Sequence, residues 1–192
     1  MKNYRFEYFL NAIHYCIYKG EVWSNSIIEK QVYIVVGILS AIFCFKKKYE
    51  KRVKELHNDK EVQEYFYGKK SGQAIGLAHH LFGFFYSAYP AFFSWIIVGI
   101  ADSVYGELSK LYFVLLFGIP IGICFIPAYR AVFTDDKYLK YFKQFEKKDN
   151  IWHKKWKIIT AVFCVGAIFI SAIGFLCMAI ISGITVLNDP FL

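Results

Sequence analysis

The chain has 192 residues, of which 57% are hydrophobic and only 20% charged, and its formal net charge is +8. The charges cluster between long apolar runs, whereas a soluble domain would spread them over every helix, so an ordinary soluble globular fold is excluded. A membrane barrel is excluded as well: its strands alternate apolar and polar residues over about 10 positions, and these runs are apolar on all sides. What remains is an all-α polytopic membrane protein, read as a single integral membrane domain over residues 1–192.

In chain order, Tyr4–Tyr18 predicts an amphipathic helix. Phe6, Phe9, Leu10, Ile13 and Ile17 share one face, with Arg5, Asn11, His14 and Lys19 mostly away from it. Such a helix lies in the membrane interface or docks on a bundle. Met1–Ser26 has no clean apolar centre or small-residue cleavage site and is expected to be retained. The first apolar run is Val32–Phe45. At 1.5 Å per residue it falls short of the roughly 30 Å of a bilayer core. Ile27, Ile28 and a snorkelling Lys30 extend it to about residues 28–45, so it is read as a first span, with a re-entrant segment as the alternative.

The loop Lys46–Gly72 carries nine Lys/Arg and predicts a charged helix over Lys47–Tyr67, broken by Gly68-Lys69-Lys70-Ser71-Gly72. Glu50–Lys54 and Arg52–Glu55 stand at spacings that support an exposed helix. Arg52 and His57 also have the Arg-x4-His spacing used by a broad class of small helical ribonucleases, but nothing flanking them matches further. The second span, Ala74–Ala101, contains His79, His80 and a central Pro90 that predicts a kink. The two histidines are ionisable groups inside an apolar run, hence candidates for proton relay, metal binding or intramembrane catalysis. Adjacent positions point about 100° apart on a helix, and the plainer reading is a hydrogen bond to a neighbouring helix.

A short loop, Asp102–Lys110, leads into the third span, Leu111–Tyr129, which has Pro120 and Pro127 as further kink sites and a Gly118-xxx-Gly122 pair open to close helix approach. The segment Arg130–Lys157 again holds nine Lys/Arg. Asp135 and Asp136 read as the cap and first turn of a helix there. Tyr138, Tyr141, Phe142 and Phe145 line one face, and Lys143, Lys147 and Lys148 cover much of the rest. Trp152, Lys154, Lys155 and Trp156 follow, residue types that settle at headgroup level. The last span is Ile158–Leu187, so the four spans fall at about residues 28–45, 74–101, 110–130 and 158–187.

Lysine and arginine excess marks the cytoplasmic side, which places loops 46–72 and 130–157 there and, with four spans, both termini outside. The same bias accounts for the net charge without nucleic acid. Size and lysine-rich composition suggest a bacterial cytoplasmic membrane. Cys16, Cys44, Cys124, Cys164 and Cys177 have no metal or redox spacing and read as packed thiols. No motif calls for a cofactor or metal or identifies an enzyme. The expected role is an accessory or regulatory subunit acting through Arg52 and the basic residues of the 130–157 segment, on anionic headgroups, a membrane or cytoplasmic protein partner, or a second copy. The alternative is a homo-oligomeric pore, channel or small transporter, including one serving a bacterial defence or stress system.

Overall fold

A computed structural model describes residues 4–42, 51, 55 and 59–187. Among them the chain is helical, with no strand: α1 (Tyr4–Ile42), α2 (Lys60–Tyr67), α3 (Gln73–Tyr105), α4 (Lys110–Val132), a 3-10 turn (Thr134–Asp136), α5 (Lys137–Phe145) and α6 (Asn150–Leu187). Three segments, Gln73–Tyr105, Lys110–Phe145 and Asn150–Gly183, are long and apolar enough to cross a membrane. The rest of the chain buries only 6% of the apolar window in Lys110–Phe145 and 11% of that in Asn150–Gly183. In water each Å² of such surface would cost about 25 cal/mol; in a bilayer it meets acyl chains. The first apolar run forms the end of α1 as far as Ile42, and α1 does not reach that standard over its described length. Pro90 lies inside α3, and Pro120 and Pro127 inside α4; none of them ends its helix.

The chain gathers into two compact units, Met1–Ile13 with Phe82–Leu192, and His14–Leu81. In the first, α3 and α4 pack antiparallel. Phe82 meets Phe133 at 6.0 Å between ring centroids, Tyr86 meets Phe125 at 6.0 Å, and Trp95 meets Phe117 at 4.5 Å. A tight link at Gly106, whose φ of +74° suits glycine, reverses the chain between them. Helices α3 and α6 run in the same direction, because Tyr89 meets Phe163, Phe92 meets Gly174 and Gly99 meets Met178. Their backbones come close through glycine: a Cβ on Gly174 would stand 2.9 Å from Phe92 Cα, and one on Gly99 would stand 3.0 Å from Met178 Cα. Gly118 and Gly122 have nothing within 4 Å of such a Cβ.

At the end where α3 and α6 begin and α4 finishes, the first turns of α1 dock. Asn11 Nδ2 donates to Ala131 O (3.0 Å), Trp152 Nε1 donates to Tyr8 OH (2.9 Å), and Phe9 packs on Trp156 and Phe163. Leu10, Asn11, Ala12 and Ile13, a full helical turn, are all buried. The helix is therefore enclosed on every side here, which a helix lying in the interface is not. Residues 4–13 share one end of their unit with the basic segment 130–157.

The Thr134–Asp136 turn departs from the expected helix start. Asp135 and Asp136 both take left-handed backbone angles (φ 57° and 50°), and Asp136, at the N-cap position of α5, makes no side-chain cap bond. Aspartate tolerates that region better than most residues, and the turn separates α5 from the end of α4.

In the second unit, Tyr18 OH donates to Tyr67 O (2.9 Å), and the hydroxyls of Tyr67 and Tyr33 donate to Glu29 at 2.8 and 2.9 Å. Burial, then the Glu29 carboxylate, push the Tyr67 hydroxyl up to about 12. Helix α2 starts at Asp59, which accepts from the Glu61 N–H at 2.9 Å, and stops at Gly68, where the glycine-lysine break was read. Of the charged helix expected over Lys47–Tyr67, Lys51 and Glu55 stand 3.9 Å apart. Arg52, His57, Glu50 and Lys54 lie outside the described residues, as does Cys44.

Candidate functional site

The basic segment 130–157 becomes a built surface. Helix α5 has a buried side of Tyr138, Phe142 and Phe145. Phe145 lies 4.9 Å from the Trp152 ring and 5.1 Å from Tyr8, and Tyr8 lies 5.8 Å from Trp156. Aromatic pairs of this kind, stacked between Phe145 and Trp152 and edge-on around Tyr8, each contribute about 0.5–1.5 kcal/mol beyond their buried area. Together they fasten α5 to the first turns of α6 and α1. Trp152 and Trp156, expected at the headgroups, turn into this cluster, and Trp156 is buried. The reason is spacing: at i and i+4 they share the face of α6 that meets Tyr8 (5.8 Å between their rings).

Lys143, Lys147, Lys148, Lys154 and Lys155 are exposed, with no ion-pair partner among the described residues. Beside them, Glu7 accepts from Tyr141 OH (3.2 Å) and lies 3.9 Å from the Lys137 ammonium, which itself donates to Arg130 O (3.0 Å).

The intramembrane histidines separate. His80 is exposed. His79 Nδ1 stands 2.9 Å from His14 Nε2, within the second unit. One ring donates and the other accepts, so at least one of the facing nitrogens carries no proton. Burial, then the neighbouring His79, hold His14 well below the usual histidine range. Among the described residues no group of three His, Cys, Asp or Glu could hold a metal ion. Sequence reasoning set His14 and Asn11 on the polar side of α1; both are fully buried. The available signal was the interval Tyr8–Tyr18, three turns without one charged residue.

No protein-family model matches the chain, and no curated protein or solved structure matches it.

Proposed function

We propose that this chain is a non-catalytic membrane subunit, accessory or regulatory in role, that works through the basic face of α5 and the start of α6. The observation that carries the reading is the aromatic backing of that face. Its exposed lysines stand on α5, on the turn that follows it and on the first turns of α6, packed from behind by Tyr8, Phe145, Trp152 and Trp156. A charged loop serving only to orient insertion needs no such backing. A docking surface does, because lysines held in fixed positions lose less conformational freedom on binding. The partner it fits is an acidic segment of another protein at the membrane surface.

The topology follows from charge and packing together. With segment 130–157 cytoplasmic by its lysine excess, residues 4–13 docked on it are cytoplasmic too. Phe82 of α3, packed on Phe133, belongs to the same side. The spans in this reading are α3, α4 and α6. The apolar run Val32–Phe45 has a length typical of interfacial or buried segments.

The test is exchange of Lys147, Lys148, Lys154 and Lys155 for glutamine together, followed by purification from native membranes. A stoichiometric partner retained by the wild type and lost from the variant is expected; a partner retained equally by both refutes the reading.

One observation favours a self-assembling pore as the second reading: Gly118 and Gly122 form a bare, exposed strip on α4 that none of the described residues covers. Gly118→Ile with Gly122→Ile should then reduce the native mass in nanodiscs to that of one chain.

A further inference from the structure

Beside the aromatic cluster lie two adjoining hollows that share one residue. The first, about 460 Å³, is walled by Tyr4, Glu7 and Tyr8 of α1 and by Lys137, Lys140, Tyr141 and Gln144 of α5. Each set is one helical face (i, i+3, i+4). The second is a shallow, open hollow on the surface formed by Lys143, Gln144, Lys147 and Lys148, all exposed. We infer that the pair of hollows is a binding site for a ligand carrying two phosphate groups a short distance apart, one to each hollow.

The argument is an account of donors. Glu7 is the single acid in either wall, and Tyr141 and Lys137 already serve it. Lys137 donates to Arg130 O and forms an ion pair with Glu7 at 3.9 Å. The Lys140 ammonium and the Gln144 amide have no hydrogen bond or ion pair among the described residues. Tyr8 OH accepts from Trp152, so its own hydrogen is free to point elsewhere. The first hollow therefore offers spare donors to an oxyanion and one uncompensated positive charge. The second offers three ammonium groups and no acid. Gln144, between them, can donate to either. A single phosphate can satisfy only one hollow. A two-phosphate ligand satisfies both and matches the excess of positive charge. The position favours a lipid: α5 joins the ends of two apolar segments, where headgroups lie, and basic pockets there suit headgroups with two phosphates. A soluble diphosphate has the same chemistry.

The inference rests on the reading above only in taking this end as the cytoplasmic headgroup side. The probes are cardiolipin, with two phosphates, and phosphatidylglycerol, with one, added to the purified full chain and followed by native mass spectrometry at equal total phosphate. Cardiolipin is expected to bind more tightly. K140Q/K143Q, one exposed lysine from each hollow, should weaken it about thirtyfold, at about 1 kcal/mol per lysine. K154Q/K155Q, outside both hollows, should leave it unchanged. Inorganic pyrophosphate that displaces cardiolipin assigns the site to a soluble diphosphate; failure to displace assigns it to the lipid; both support two-phosphate recognition. Equal affinity for the two lipids overturns it, as does equal loss in both double variants. K140Q/K143Q retains the four lysines on which the partner test relies, so loss of lipid with retention of partner, or the reverse, tells the two readings apart.

Discussion

Asn11 is a point at which the docking of α1 can be tested by a single side chain. It is fully buried, and both hydrogens of its amide are used: one to Glu7 O at 2.8 Å, the other to Ala131 O at 3.0 Å. The second bond matters more. Ala131 lies in the last turn of α4, where carbonyls lack an intrahelical donor. Asn11→Ala leaves that buried carbonyl unserved, at a cost of about 1–3 kcal/mol. The lost free energy falls on a local event, the lifting of residues 4–13 from α4, α5 and α6, and not on the spans. An opening easier by that amount raises amide exchange about five- to 150-fold. Hydrogen–deuterium exchange of the protein in nanodiscs, read on peptides covering residues 4–13 and on α3 as control, should show the rise in the first and none in the second. Asn11→Asp should exceed it, because a carboxylate would face two carbonyl oxygens with no hydrogen to give. Unchanged exchange in Asn11→Ala would refute the view that this bond holds the helix down.

The buried His14 should make stability depend on pH. The unfolded chain takes up a proton near the ordinary histidine value of about 6.5, while the folded ring resists it. Stability is therefore full above that value and falls as pH drops below it; thermal melts in detergent between pH 5 and 8 should show this in the wild type and much less of it in His14→Asn. Gly174→Ala should separate α3 from α6, because its Cβ would meet Phe92 Cα at 2.9 Å, and should lower stability by about 1–3 kcal/mol in denaturation of the reconstituted protein. Gly76→Ala, with nothing within 4 Å, is the neutral control.

The apolar segments of α3, α4 and α6 were legible because composition alone determines them: some 20 apolar residues in a row have few other homes. Val32–Phe45 was harder, since 14 residues fit a short span, a re-entrant segment or an interfacial helix equally. What separates these is the company kept by residues 4–13, and that is tertiary. The face of α1 was misread for a related reason. Helical periodicity assumes one wet side, so Asn11 and His14 were assigned to it; in the buried turn the Asn11 amide donates to Glu7 O and Ala131 O, and His14 meets His79 instead. Lys143, Lys147 and Lys148 are exposed, whereas the tryptophans turn toward Tyr8, a neighbour that the sequence does not reveal.

The bonds from Asn11 to Ala131 and from Tyr8 to Trp152 link positions 120 and 144 residues apart. The beginning of the chain thus leaves the ribosome well before anything it will rest on. At about 5–20 residues per second, the 144 residues between Tyr8 and Trp152 take roughly 7 to 30 s to synthesise. His14 and Tyr18 meet His79 and Tyr67 after 65 and 49 residues, whereas Asn11 and Tyr8 wait for the end of α4 and the start of α6. The seating of the first turns of α1 therefore comes after the last apolar helix has begun to emerge.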